Sequence, residues 1–370
     1  MTNGRRCLPA EFYEITLGNT TAVNTSAIPP EVFEICTPSY GSREVVRVPD
    51  SKKWLALDII STAGIDTFAF SIDEHPLWVF AVDAHYIEPL KVDILHVANG
   101  DRYSVLIRLD KEGSRYGIRV ASIAATQVIA TTAILSYYDE YSYVFPQSSA
   151  DVVPSTSSIN LAGEPVSENV TSFNQADMKS FPPQFPQPAP EPEQTFFLNM
   201  STTRNSITWA LNTMPLSHPM LDDMAPPLLW QYPNSSLSGT NVTITTKNNT
   251  WIDLVFISHQ LLAPPHPIHK HSNRAFIIGQ GEGTFEWESI TEAAAASPDN
   301  FNLWTPPYRD GFVVPATSFQ PSWLAVRYQV VNPGAWMLHC HIQSHLNGGM
   351  AMVILDGVDA WPEIPDDCKN

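Results

Sequence analysis

The sequence predicts an all-β protein: two β-sandwiches joined by a long Pro/Ser-rich linker. Three observations predict it. Short runs of Val, Ile, Thr and aromatic residues recur between turn residues, as strands do. The 370 residues hold 32 prolines against 17 glycines, a balance that disfavours long helices. Composition then breaks sharply in the middle, where residues 147–192 become rich in Ser, Pro, Gln and Glu. With 44% apolar and 16% charged residues, the blocks on either side have enough apolar surface for cores of their own.

In the first block, residues 1–146, the strand-like runs are Val45–Val48, Trp54–Ile60, Phe68–Ile72, Trp78–Val82, Tyr103–Ile107 and Gly117–Val120. The linker, 147–192, ends in the proline-dense stretch Phe181–Pro192 and is expected to run semi-rigid over a surface. In the second block, residues 193–370, the clearest strands are Asn241–Thr246, Trp251–Ile257, Ala275–Ile278, Trp323–Tyr328 and Trp336–His341. Ser289–Ala296, rich in alanine, is the one helix-like piece.

Charge narrows the function. Lys and Arg total 20 against 38 Asp and Glu, a net of −18, which repels phosphate backbones and anionic lipid and argues against nucleic-acid or membrane-surface partners. No apolar run approaches 18 residues, so no membrane span is expected. Seven Asn-x-Ser/Thr sequons, at Asn19, Asn24, Asn169, Asn199, Asn234, Asn241 and Asn248, point to a secreted glycoprotein. The opening Met1–Cys7 nonetheless lacks the apolar core and cleavage site of a signal peptide.

Chemistry concentrates near the C-terminus. Six of the eleven histidines form two clusters: His266-Pro-Ile-His269-Lys-His271, and His339-Cys340-His341 followed by His345 and Met350. Side chains alternate along a strand, so Cys340 faces one way while His339 and His341 face the other. One thiolate and two imidazoles thus serve two separate sites linked by very short backbone. A Cys, two His and a weak axial Met form the ligand set of type 1 blue copper, with His266 as the second imidazole beside His345. His269 and His271 share a face and can join His339 and His341 around other metal ions. Structural zinc would want ligands converging on one point, commonly as Cys pairs, and there is no Cys-x-x-Cys.

These motifs resemble the fungal multicopper oxidases of the laccase and ascorbate-oxidase type. The resemblance rests on His266-Pro-x-His-x-His271, Asn332-Pro-Gly-Ala-Trp336 and His339-Cys-His-x-x-x-His345 to Met350. Pro306-Pro-Tyr-Arg-Asp310, Phe70–Asp73, Val82-Asp83, Gly100–Val105 and Asn3-Gly4-Arg5 support it. It covers nearly the whole chain and aligns it with the family's second and third cupredoxin domains, the first being absent, through a truncated gene model or a genuine short product. The resemblance implies Greek-key cupredoxin sandwiches and assigns His266, Cys340 and His345 to type 1 copper, with Met350 axial. It gives His269 to type 2 copper, and His271, His339 and His341 to the type 3 pair. Electrons from a phenolic or similar reductant would pass through Cys340, flanked by His339 and His341, to dioxygen. Two further His-x-His pairs of the family's trinuclear cluster are missing, so type 2 and type 3 copper need the absent domain. A catalytically incomplete electron-transfer fragment is therefore one alternative. A ferroxidase, with acids beside His266 or His345, is the other. His75, His85, His96, His218 and His259 read as structural, and Lys270, between two cluster ligands, is expected to point outward. Cys368 resembles a family cysteine that bridges to the first domain; the pairing of Cys7, Cys36 and Cys368 stays open, as does oligomeric state. The full-length form is expected outside the cell or in the cell wall.

Overall fold

A computed structural model of the chain describes residues 43–112, 115–123, 130–139, 155–183, 187–202, 208–216, 230, 239–260, 263–317 and 319–368. The readings at Asn3–Arg5, Cys7, Asn19, Asn24, Cys36, His218 and Asn234 lie outside the described residues, as does the side chain of Cys368.

The first block contributes β1 (Val45–Pro49), β2 (Trp54–Ile60), β3 (Phe68–Ile72), β4 (Leu77–Val82), β5 (His85–Val92), β6 (Leu95–Val97), β7 (Arg102–Arg108), β8 (Arg115–Ser122) and β9 (Ala130–Tyr138). They form sheets ordered β1-β9-β8-β3-β6 and β2-β7-β4-β5. Period-two burial explains the packing: in β7, Tyr103, Val105 and Ile107 are buried while Arg102, Ser104 and Leu106 are less so.

The second block contributes β10 (Gln194–Thr202), β11 (Trp209–Ala210), β12 (Thr243–Thr245), β13 (Trp251–Ser258), β14 (His266–Lys270), β15 (Ala275–Glu282), β16 (Tyr308–Arg309), β17 (Gly311–Val314), β18 (Ser322–Gln329), β19 (Gly334–Cys340) and β20 (Ala351–Asp356). Their sheets run β11-β10-β13-β18-β15-β16 and β12-β20-β19-β14-β17. Every residue of β13 is buried, because this central strand is covered on both faces. One cover is α1 (Ile290–Ala296), whose Ile290 and Ala293 join Phe285 and Trp323 in a second apolar cluster. Ser289 caps it, its Oγ accepting from the Glu292 N–H at 3.1 Å. A short helix, α2 (Gln343–Asn347), follows β19.

The segment between the blocks is more than a surface spacer. Ile159, Ala162, Phe173, Met178 and Ser180 are buried. Ser180 donates from its backbone to Thr305 O at 2.9 Å and from Oγ to Pro306 O at 2.7 Å, while Asn302 Nδ2 donates to Met178 O at 3.1 Å. On the other side, Asp93 N–H donates to Thr171 O at 2.8 Å. Isolated apolar anchors among the Ser and Pro residues fix the segment to both blocks. Among the described residues, no helix is long and apolar enough to cross a membrane.

Candidate metal centre

Strand parity builds the centre. Along β14, His266, Ile268 and Lys270 share one face and His269 takes the other; along β19, Cys340 and Leu338 oppose His339. The strands pair antiparallel, with Ile268 opposite Cys340 and His269 opposite His339. His266 and Cys340 therefore point into the second sandwich. His269, His271, His339 and His341 emerge on its other face.

Inside, Cys340 Sγ lies 3.9 Å from His266 Nδ1 and 3.8 Å from His345 Nδ1, with all three residues buried. Helix α2 brings His345 back toward the strand end. Met350 then returns to the site, accepting from Cys340 N–H at 3.0 Å and donating to His345 O at 3.0 Å. Met350 itself is fully buried. With bonds of about 2.3 Å to sulfur and about 2.0 Å to imidazole nitrogen, ligands roughly 120° apart sit about 3.8 Å from each other. The observed separations match that near-trigonal spacing, so the donor set fits a copper ion of the type 1 kind.

The site is dry. Burial, with His345 adding to it, lowers the His266 imidazole to about 3; burial lowers His345 to about 4. Both nitrogens thus keep a lone pair at neutral pH. Burial also pushes the Cys340 thiol up to about 12, so only a bound cation makes it a thiolate near pH 7.

Outside, the other four imidazoles form a half-shell, with ring centroids 5.0 Å apart for His269 and His271, 5.3 Å for His271 and His339, and 5.7 Å for His339 and His341. His269 Nδ1 donates to Asp310 O at 2.9 Å and His339 Nδ1 to Cys340 O at 3.0 Å. Each bond fixes a tautomer and leaves Nε2 free for a ligand. His339 Nε2 and His271 Nε2 come within 3.3 Å. Burial first, then the neighbouring imidazoles, lower His339 to about 4. Among the described residues, His266, Cys340 and His345 are the one group of three such side chains that converges closely enough to share an ion.

The first block touches this half-shell. Asn99 Nδ2 donates to His341 O at 3.3 Å, and a Cβ on Gly100, whose φ is +85°, would lie 3.1 Å from the His341 ring. Arg102 grips both oxygens of Asp310 at 2.8 and 2.9 Å. Fully buried Arg309 reaches Asp83 at 2.8 Å and Asp101 at 2.7 Å. Burial alone would lift both carboxyls; at Asp83 the guanidinium wins and holds the group below its usual range, whereas Asp101 stays raised. Pro306–Asp310 and Gly100–Val105 were legible only as family motifs; the structure pairs them across the seam.

Lys270 corrects an expectation. It does not point outward: strand parity sets it opposite His269, and it is fully buried. Its Nζ donates to Asp356 Oδ2 at 3.0 Å and lies 4.3 Å from the Tyr328 ring centroid. Asp356 also accepts from Thr246 Oγ1, Tyr328 OH and Asn273 Nδ2, each at 2.9 Å. Of the isolated histidines, His75 bonds Tyr137 OH at 2.7 Å, and His85 packs edge-on against Tyr308. Trp209, which sequence reasoning missed, stacks on His345 with centroids 3.7 Å apart and planes at 20°.

Two family models described as multicopper oxidase match this chain, over residues 41–140 and 212–360. The chain belongs to the multicopper oxidase family. It is 38% identical to multicopper oxidase elcG of Phaeosphaeria nodorum, over 93% of this chain and 54% of that protein. It is 36% identical to laccase abr2 of Aspergillus fumigatus, over 91% and 56%, and 36% identical to laccase-1 of Emericella nidulans, over 96% and 60%. The chain thus spans about half the length of the curated relatives it matches. Its fold superposes on a laccase from Botrytis aclada with a TM-score of 0.67 at 25% identity, covering 88% of this chain and 55% of that one. It shares its fold with Fet3p, a multicopper oxidase that functions in iron import, at a TM-score of 0.61 and 19% identity.

Proposed function

We propose that this chain supplies the type 1 copper site, and half the ligands of a trinuclear copper cluster, in a laccase-type oxidase that oxidises phenolic reductants with dioxygen. His266, Cys340 and His345, together with Met350, would hold type 1 copper, His269 would hold type 2, and His271, His339 and His341 would hold type 3. Bound copper supplies one-electron chemistry at the first site and oxygen chemistry at the second. The residues fix the geometry: buried imidazoles keep their lone pairs, and the backbone bonds of His269 and His339 aim Nε2 outward. The single observation that carries the reading is Cys340 between His339 and His341, its sulfur in one site and its neighbours in the other.

Among the described residues, Trp209, Cys340 and His266 meet the His345 ring, and burial is what shifts its imidazole, with no carboxylate contributing. That surface suits an aromatic donor better than an iron ion. The remaining cluster ligands belong to a further domain, in the same polypeptide or in a partner. We divide the chain into cupredoxin domains at 1–146 and 193–370 around the 147–192 segment. Exposed sequons at Asn169 and Asn241 suit an extracellular setting.

Steady-state oxygen uptake with a phenol tests the assignment. The copper-loaded 370-residue chain should show none, and addition of a family first domain carrying two His-x-His pairs should start it. Equal turnover with and without that domain would show that four imidazoles suffice and refute the half-cluster assignment.

A further inference from the structure

The segment Trp209–Leu216 crosses the loop that carries the type 1 ligands, and it touches that loop in four ways. The Trp209 indole stacks on His345, with centroids 3.7 Å apart and planes at 20°, and meets His266 edge-on at 5.7 Å. Trp209 N–H donates to Gly348 O at 2.9 Å, and Leu216 N–H donates to Gly349 O at 2.9 Å. Between them, a Cβ on Gly349 would lie 2.7 Å from Pro215 Cβ, and Gly349 has φ +101°. The close approach is therefore possible only with glycine there. Gly348 and Gly349 form the turn from His345 to Met350, so the contacts fall on the backbone between two ligands.

We infer that Trp209–Leu216 is a strap that positions the type 1 copper loop, with Trp209 as the positioning residue that fixes the His345 ring plane and keeps water from it. The inference rests on the copper reading above. His345 is 7% exposed and Trp209 9%, so the stacked indole covers one face of an imidazole that solvent barely reaches. Oxidised copper with one thiolate carries a net positive charge, and the reduced ion with the same ligands carries none. Excluding water therefore destabilises the oxidised form more, which raises the reduction potential. The negative face of the indole acts the other way, favouring the cationic form. The attraction of a facing aromatic is weaker than the hydration of a charged site. Dryness wins, and the strap's net effect is upward.

The test compares wild type, Trp209→Phe and Trp209→Leu, each loaded with Cu(II), by visible absorption, by redox titration of the blue band and by thermal melting of the metal-free chain. Trp209→Leu should lower the potential and shift the band. Trp209→Phe, which keeps a smaller stacking face, should fall between. If the leucine variant does not fold, the phenylalanine variant alone should still show the downward shift. A blue wild type whose band and potential survive Trp209→Phe and Trp209→Leu unchanged overturns the strap while leaving the copper reading intact. A wild type that binds Cu(II) without colour overturns the copper reading and the strap with it.

Discussion

Cys340 and the imidazoles beside it carry opposite burdens from the same burial. The thiol, pushed up to about 12, is protonated at pH 7, whereas His266 at about 3 and His345 at about 4 are already neutral. Copper entering at pH 7 should therefore release one proton per type 1 site, from Cys340 alone. As pH falls below about 4 the imidazoles also bind protons in the metal-free chain, so release rises toward three and affinity drops. Loading in weakly buffered solution with a pH electrode reads this directly; no proton released at pH 7 means that the thiol is not a ligand. Met350, fully buried and hydrogen-bonded through its backbone to Cys340 and His345, makes a second case. Met350→Leu should raise the reduction potential and keep the blue colour, because loss of a thioether donor weakens the oxidised ion more. An unchanged potential would assign Met350 to the core.

At the scale of elements, β14 and β19 explain how much of the site was legible. Alternation along His266–His271 and His339–His341 sorts six candidate side chains onto two faces without knowledge of which strands pair. The same parity, applied to Lys270, contradicts the outward expectation, which rested on the habit that lysines seek water. Its partner Asp356 sits at the end of β20, 86 residues away, and no local pattern announces such a pair. Trp209 was invisible for the same reason: its stacking partner comes from another element. Asp356→Ala should destabilise the chain by about 3–5 kcal/mol, since it strands the buried Lys270 along with the donors Thr246, Tyr328 and Asn273, and adding Lys270→Met to Asp356→Ala should recover part of that loss by removing the stranded ammonium. Urea unfolding of the metal-free protein decides it. Equal losses in the single and double variants would mean that Lys270 is not tied to Asp356.

For the whole molecule, the seam between the blocks matters as much as either sandwich. Arg309 reaches from the second block to Asp83 and Asp101, Arg102 reaches from the first to Asp310, and Asp310 holds His269. The segment at 155–183 pins both sides of that seam. Its Ser/Pro-rich composition concealed this, because a few buried side chains such as Phe173 and Met178 outweigh many exposed ones in deciding where a segment lies. A chain built this way presents four imidazoles on one face and a closed Cys-His-His site behind them. The closed site is the central claim, and one spectrum tests it most directly. The 370-residue chain loaded with one equivalent of Cu(II) should show an intense blue thiolate-to-copper band, and Cys340→Ser, equally folded and equally loaded, should be colourless. A colourless wild type with stoichiometric Cu(II), or a serine variant that stays blue, would contradict the assignment of Cys340, His266 and His345 to type 1 copper.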